Sequence, residues 1–213
     1  NASGDASTAK VPSTRPDQSK GIREGIEALD AALTDVATIV HGTTVGTNAL
    51  LERKGARTGI ITTRGFRDVL EMRRRDRPHT WGLRGHFEPV VPRDLRVEVD
   101  ERVLANGTLL EAVNAEAVRA AARTLRERGA ESLCIFFINS YANDTNEKAA
   151  LAAVTSIWPN EHISVASAIL PEIREFERAS TTALNAYLQP VVGGYLERLQ
   201  SGLSGSGFNG EML

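Results

Sequence analysis

The sequence is poor in cysteine, in aromatic residues and in long apolar runs. Its 213 residues include a single cysteine, Cys134, so an internal disulfide cannot form and a disulfide scaffold is excluded. One thiol is compatible with a reducing compartment, and we expect a cytoplasmic location. No apolar run approaches the roughly 18 residues that a membrane-spanning helix needs, so we expect no membrane segment.

A strong excess of charge of either sign is also missing. The chain carries 25 Lys and Arg against 27 Asp and Glu, a formal charge of −2, which argues against bulk binding of nucleic acid. Apolar residues make up 41% and charged residues 24%, values that are ordinary for a globular protein and exclude a disordered chain. The composition therefore predicts one or two folded domains with a sizeable core.

Short apolar runs alternate with stretches of helical periodicity along the chain. We predict strands at 36–40, 58–62, 95–103, 132–139 and 162–166. We predict helices at 18–33, 44–55, 114–128, 145–157 and 172–203. This alternation predicts an α/β fold with a mostly parallel sheet and right-handed crossover helices. Asn106-Gly107 predicts a hairpin, and Pro190 predicts a kink or break in the last helix.

The sharpest local motif is HGTTVGTN at residues 41–48, where a predicted strand ends and a helix begins. Open α/β sheets bind ligands at the carboxyl ends of their strands, and the first N–H groups of a helix favour an anion. Thr43 and Thr44 add hydroxyl groups, and Gly42 permits close approach of the backbone. The motif is therefore a candidate binding site, and a helix cap in a well-packed turn is the alternative.

A second feature is basic. Seven arginines between Arg64 and Arg84 outnumber the three acids among them, and a planar guanidinium binds carboxylate or phosphate at two points. The alternative is a solvated face that pairs with nearby acids or with a neighbouring subunit. His41, His79 and His86 lack strong ligand spacing, so we predict no metal site.

The last predicted helix begins with alternating acids and bases. Glu172, Arg174, Glu175 and Arg178 have the spacing of helical ion pairs, which predicts a salt-bridged helix surface. Glu175 and Arg178 are weaker candidates for a functional role. Cys134 lies within an apolar strand, where we predict an inert buried thiol.

Two long segments together resemble one known family. HGTTVGTNALLERKGARTGIITTRGFRDVLEMRRRDRP and, further along, LPEIREFERASTTALNAYLQPVVGGYLERL resemble segments of the hydantoinase A/5-oxoprolinase family, in the same order. Between them, PRDLRVEVDERV matches in position and character. The resemblance extends over nearly the whole chain, from about Lys10 onward.

The resemblance implies a nucleotide-binding fold similar to part of the actin, Hsp70 and sugar-kinase fold. It also implies an ATP-dependent amidohydrolase that opens cyclic amides such as hydantoins and 5-oxoproline after a carbonyl oxygen is phosphorylated. The implied cofactors of the full-length enzyme are ATP and Mg²⁺. The implied partners are a small cyclic amide or ketone, a second B-type subunit or domain, and further copies in an oligomer.

Three other functions stay open at this point. The first is a subunit of an ATP-dependent ketone carboxylase of the acetone or acetophenone type. The second is a non-catalytic module built on the same fold. The third is a phosphotransferase similar to the sugar kinases.

The resemblance implies that the motif at residues 41–48 faces a cleft between domains. Catalytic roles are implied for His41, Thr43 and Thr44. Substrate-binding roles are implied for Gly42, Asn48, Arg74 and Arg75. The chain departs from the family pattern at Gly46, where Ala is more common, and at Asn146-Glu147, where His-Glu is common.

The same resemblance predicts how the chain is organised. We expect an extended or disordered lead-in at 1–16, an α/β domain at 17–200 with an irregular Arg-rich insertion at 73–96, and a linker into a following domain at 201–213. The family's phosphate-binding motifs are expected before Asn1 and after Leu213. We therefore expect a fragment of the N-terminal region that does not bind ATP in the family manner by itself.

Overall fold

The computed structural model describes residues 4, 6–12, 14, 17–29, 32–74 and 87–213. The chain divides into two compact units, here named by their place in the sequence. The terminal unit comprises Asn1–Ala49 and Val191–Leu213, and the central unit comprises Leu50–Pro190. In this described part of the chain, every helix is too short or too polar to cross a lipid bilayer.

The strands and helices follow the predicted alternation. The strands are β1 (Thr38–Ile39), β2 (Thr58–Thr63), β3 (Arg96–Val99), β4 (Arg102–Val103), β5 (Leu109–Glu111), β6 (Ser132–Phe136), β7 (Ile163–Val165) and β8 (Glu211–Met212). The helices are α1 (Gln18–Glu27), α2 (Val45–Leu51), α3 (Val69–Met72), α4 (Ala115–Glu127), α5 (Thr145–Thr155), α6 (Ala166–Ile169) and α7 (Glu175–Gly205). Short 3₁₀ turns lie at Leu33–Asp35 and Arg93–Leu95.

The central unit is built on a parallel sheet with strand order β3-β2-β6-β7. The two middle strands are buried along their whole length, as their sequences TGIITT and SLCIF allow. Such continuous burial is typical of a parallel sheet with layers on both faces. Helix α4 packs against β2, β3 and α5, and α5 packs against β6 and β7. The predicted α/β class with a mostly parallel sheet is therefore confirmed.

Helix α4 shows how the sequence sets an element. The side chain of Asn114 accepts hydrogen bonds from the first amides of the helix, those of Glu116 and Ala117. One face is apolar and buried, at Val118, Ala121, Ala122 and Leu125. Gly129 follows the helix with a φ of +82°, in the left-handed region that ends many helices. Capping and periodicity together place the helix where the sequence predicts it.

The predicted hairpin is present, but the strand before it is divided. β4 and β5 are antiparallel, and Gly107 takes a φ of +83° in the turn between them. The predicted strand at 95–103 is two strands, β3 and β4, with Glu101 between them. Glu101 is buried because the period-two alternation places it on the same face as Val99 and Val103, which are also buried.

The terminal unit has its own small core. β1 pairs in parallel with β8, and the core cluster consists of Leu33, Val45, Tyr195, Leu199, Leu203 and Phe208. Helix α7 continues through Pro190 without a break, and the division between the two units lies at this residue. Residues 201–205 continue α7 and residues 211–212 form β8. The predicted domain boundaries at 16/17 and 200/201 remain predictions, and part of the 1–16 lead-in lies outside the described residues.

Candidate functional site

The turn between β1 and α2 is held by local hydrogen bonds. The carbonyl oxygen of Thr44 accepts the first helical bond from the amide of Asn48, at 2.8 Å. The hydroxyl of Thr43 accepts from the amide of Val45, at 3.2 Å. Val45 itself is buried in the core of the terminal unit. The turn is thus capped by a hydroxyl and anchored by one apolar side chain.

The polar groups of this turn lie on the surface. Gly42, Thr43, Thr44 and Asn48 are all exposed, and the side-chain amide of Asn48 donates to the hydroxyl of Thr44 at 3.2 Å. A Cβ built on Gly42 would meet no atom within 4 Å, so the backbone is accessible there. The predicted cap is present, but packed side chains do not cover the turn.

Two backbone donors at the start of α2 remain available. Within the described residues, no hydrogen bond occupies the amides of Gly46 and Thr47. The opening turn of a helix leaves such N–H groups unpaired, and their dipoles favour a negatively charged partner. The turn therefore combines backbone donors and hydroxyl groups that suit an anionic oxygen.

His41 is positioned by a residue that the sequence did not single out. The Nε2 atom of His41 lies 2.7 Å from the hydroxyl oxygen of Tyr195, and the backbone amide of His41 donates to the carbonyl oxygen of Leu213 at 2.9 Å. Tyr195 is 2% exposed within the core of the terminal unit. With Tyr195 as donor, the neutral imidazole carries its proton on Nδ1. No local motif in the sequence signals a pair 154 residues apart.

The basic stretch is described only in part. The guanidinium of Arg74 donates to a carboxylate oxygen of Glu177 at 2.6 Å, so this arginine pairs with an acid of α7. Such a pair agrees with the predicted alternative of a solvated face. Arg75 lies outside the described residues, as do His79 and His86. The substrate-binding roles of both arginines remain predictions.

A buried polar network lies within the central unit. Only its Glu175–Arg178 pair was predicted from the sequence. Arg178 and Glu147 are both 0% exposed, and their charged groups approach to 3.7 Å. Glu147 accepts from the amide of Phe137 at 2.8 Å and from that of Ser167 at 2.7 Å. Arg178 also donates to the hydroxyl of Ser140. These bonds join α5 and α7 to the chain that follows β6.

The predicted ion pair of Glu175 and Arg178 forms, at 2.6 Å, but not on a solvated surface. Arg178 is enclosed because its guanidinium also donates to the carbonyl oxygen of Phe137, beyond the end of β6. The prediction of a salt-bridged helix surface is therefore wrong at Arg178, which is buried. Burial raises the pKa of Glu175 above its ordinary value, although Arg178 opposes this shift.

A second part of the network surrounds Glu101. Its carboxylate accepts from the hydroxyl of Thr63 and, at 2.7 Å, from the side-chain amide of Asn146. Burial raises the pKa of Glu101, although these two hydrogen bonds favour the charged form. The dipeptide Asn146-Glu147, which departs from the family pattern, therefore contributes to this interior. Glu101 was not predicted as a functional residue, although the alternation of LRVEVDERV places it on the same face as Val99 and Val103.

The remaining predicted features have plain outcomes. Cys134 is buried within β6, as predicted, and burial raises the pKa of its thiol, which disfavours the reactive thiolate. Among residues 4, 6–12, 14, 17–29, 32–74 and 87–213, no three His, Cys, Asp or Glu side chains gather in a metal-binding group.

The described residues do not fit a whole nucleotide. The exposed hydroxyls of Thr43 and Thr44 and the available amides of α2 suit one anionic oxygen. The sequence, however, contains no P-loop. Its GxGxxG match at residues 205–210 lies at the end of helix α7 and precedes strand β8, whereas a pyrophosphate-binding motif of this kind follows a strand and opens a helix. These residues by themselves therefore do not form a complete nucleotide-binding site.

Comparison with known proteins decides the family. The sequence model described as "Hydantoinase/oxoprolinase N-terminal region" matches residues 1–158. This chain belongs to the hydantoinase/oxoprolinase family. A crystal structure of an ATP-dependent caprolactamase from Pseudomonas jessenii shares the fold, with a TM-score of 0.85 and 32% identity over 96% of this chain and 31% of that chain.

Curated relatives in the family carry several activities in their names. Caprolactamase subunit alpha of Pseudomonas jessenii is 32% identical over 93% of this chain and 30% of its own length. Acetophenone carboxylase gamma subunit of Aromatoleum aromaticum is 27% identical over 99% of this chain and 32% of its own. A 5-oxoprolinase of Saccharomyces cerevisiae is 29% identical over 91% of this chain and 18% of its own. The chain thus spans about a third or less of each relative.

Proposed function

We propose that the full-length protein is an ATP-dependent enzyme that opens a small cyclic amide, and that this chain supplies part of its N-terminal region. The observation that carries the proposal is the likeness to caprolactamase. This likeness holds in sequence, at 32% identity over 93% of the chain, and in structure, with a TM-score of 0.85. Family membership supports an ATP-dependent reaction, and the likeness to caprolactamase supports a cyclic amide as the substrate.

In this proposal the turn at residues 41–48 binds the reacting group. Thr43 and Thr44 act with the amides at the start of α2 on an oxygen that carries negative charge, and Gly42 and Asn48 contact the substrate. Exposure of these residues and the two available amides support this role. Donors fixed in advance around a developing negative charge are the usual way in which proteins stabilise such an oxygen.

His41 is the proposed proton carrier. Its Nε2 atom is hydrogen-bonded to the hydroxyl of Tyr195, so Nδ1 is the ring nitrogen proposed to exchange a proton with the substrate. A neutral imidazole held in one orientation can donate or accept a proton near neutral pH. Arg74 and Arg75 stay in the proposal as residues that bind the substrate.

ATP is the proposed co-substrate of the full-length protein, because the related caprolactamase is described as ATP-dependent. We propose that most groups that bind ATP and Mg²⁺ belong to polypeptide outside this chain. A second, B-type subunit is the proposed partner, since related chains are named as subunits alpha and gamma.

One specific relative favours a second candidate function, a subunit of an ATP-dependent ketone carboxylase. The acetophenone carboxylase gamma subunit matches 99% of this chain, although at a lower identity of 27%. The two candidates differ in whether bicarbonate is consumed. Only the carboxylase joins a carboxyl group to its substrate.

ADP release by the full-length protein, with its partner subunit, tests the proposal. Caprolactam, 5-oxoproline and hydantoin are supplied without bicarbonate, and acetophenone is supplied with it. We expect at least one cyclic amide to stimulate ADP release. Stimulation by the ketone alone supports the carboxylase instead, and stimulation by none of the compounds contradicts both candidates.

A further inference from the structure

The central unit contains a cavity that the proposed function does not use. Its volume is about 600 Å³, within the range of small-molecule sites in proteins. Its walls come from the end of α2, from α3, from α7 and from the segment 87–90. Eight of its twelve described lining residues are apolar, among them Leu50, Leu70, Phe87, Val90, Phe176 and Leu184.

Two arginines of this lining, Arg53 and Arg73, contact residues that are adjacent in the sequence. The guanidinium of Arg73 lies 3.7 Å from the centre of the Phe87 ring. The guanidinium of Arg53 donates to the backbone oxygen of Glu88 at 2.8 Å. Arg53 and Arg73 are the cationic side chains of the described lining, and Glu88 is acidic. A guanidinium group beside apolar walls suits a ligand that combines a hydrocarbon part with an anion.

Both arginines have an uncommon backbone conformation. Arg53 has a φ of +55° and Arg73 a φ of +48°, and only two further non-glycine residues of the described chain, Asn139 and Arg174, have positive φ. The left-handed region is unfavourable for long side chains and persists where surrounding structure imposes it. The conformation of each arginine is thus fixed by its neighbours.

The contacts that hold these two backbones are visible. A Cβ on Gly55 would lie 2.1 Å from the ring of Tyr187, so only glycine lets the chain after Arg53 approach α7 so closely. The amide of Ala56 donates to the carbonyl oxygen of Tyr187 at 2.8 Å. The residue after Arg73 is tied to α7 by its ion pair with Glu177. The two cationic walls are therefore positioned before any ligand arrives.

We propose that this cavity binds a small molecule with an apolar body and a single carboxylate. The apolar walls take the hydrocarbon part, and the guanidinium groups of Arg53 and Arg73 take the carboxylate. None of the described lining residues belongs to the turn at 41–48, and Arg74 is not among them. The site therefore stands apart from the proposed reaction, and its binding does not depend on ATP.

Calorimetric titration of the full-length protein without ATP tests the proposal. Hexanoate is the probe, hexanamide is its neutral counterpart, and acetate lacks the apolar body. We expect saturable binding of hexanoate with a Kd about tenfold or more below that of hexanamide, because a charge-assisted bond is replaced by a neutral one. Acetate is expected to bind more weakly than hexanoate.

Two variants and a matched control locate the binding. Leu184→Trp fills the cavity and is expected to abolish hexanoate binding. Arg73→Leu keeps apolar volume but removes a cation, and is expected to raise the Kd about tenfold. Arg123→Leu removes an exposed cation of α4 and is expected to leave the Kd unchanged. Circular dichroism verifies that each variant is folded, and the partly exposed Arg73 keeps the test decisive if Leu184→Trp fails to fold.

Several outcomes would overturn the proposal. Equal Kd values for hexanoate and hexanamide would contradict binding of the carboxylate by Arg53 and Arg73. An unchanged Kd in Arg73→Leu would place the binding elsewhere, and absence of saturable binding at millimolar hexanoate would exclude the site. The proposed amide-opening reaction is unaffected by any of these results, since its test measures ADP release.

Discussion

The turn at 41–48 and the buried network around Arg178 are both rich in polar groups, but they differ in access to water. Thr43, Thr44 and Asn48 are exposed, and no described residue accepts from two backbone amides beside them. In the network, Arg178 and Glu147 are fully buried and hydrogen-bonded, although the Nε atom of Arg178 has no partner among the described residues. One region therefore has polar groups available to a ligand, and the other uses most of its polar groups internally.

This difference separates function from stability. Buried charges lose their hydration, so they remain in a fold only when protein groups replace the water. An exposed hydroxyl can be removed without such a penalty. We therefore expect changes in the network to lower the free energy of unfolding, and changes at the turn to lower activity while stability is nearly retained.

Arg178→Met is expected to have the largest effect on stability. It leaves Glu147 buried without its cationic partner, which typically costs about 3–5 kcal/mol of unfolding free energy. Chemical denaturation of the full-length protein measures the loss. Arg126→Met, at an exposed position of α4, is the control and should change stability by less than about 1 kcal/mol. Equal effects of the two substitutions would contradict a structural role for the network.

Tyr195→Phe is expected to have a moderate effect. It removes one hydrogen bond to His41, which typically contributes about 1 kcal/mol. It should also change the tautomer populations of His41, and ¹⁵N chemical shifts of the imidazole report these directly. Tyr187→Phe, on the same helix, serves as the control. Identical imidazole shifts in Tyr195→Phe and in the unmodified protein would show that the tyrosine does not position His41.

Glu101→Gln is expected to change the pH dependence of stability. Because burial raises the pKa of Glu101 above 4.5, the folded protein holds this proton more tightly than the unfolded chain does. The carboxyl group therefore lowers stability progressively as pH rises from 4.5 through the raised pKa. Glutamine cannot ionise, so the variant should lose less stability across that range. Denaturation midpoints at several pH values check this, and parallel curves would refute it.

The sequence predicted the helices and strands better than it predicted the buried polar contacts of Glu101 and Arg178. The runs TGIITT and SLCIF are apolar enough to indicate buried parallel strands, and Asn114 with Gly129 marked the ends of α4. These signals are local, and local signals can be read from one sequence. The conformational freedom of Gly107 in its turn was predictable for the same reason.

Long-range polar contacts had no such signal. The alternation of LRVEVDERV places Glu101 on the apolar face, but its partners Thr63 and Asn146 come from other elements and have no local signal. Tyr195 could be predicted as an apolar core residue, but not as the partner of His41. Contacts of this kind depend on tertiary packing, which brings together residues far apart in the sequence.

The double substitution Thr43→Ala with Thr44→Ala tests the central claim most directly. Its cost in stability should be small, about 1 kcal/mol, since the cap on Val45 and one exposed hydrogen bond from Asn48 are lost. Thr34→Ala, at another exposed threonine of the terminal unit, is the control. We predict that substrate-stimulated ADP release by the full-length enzyme falls at least about tenfold in the double variant and is unchanged in the control. A normal rate in the folded double variant would contradict the assignment of this turn to the reaction.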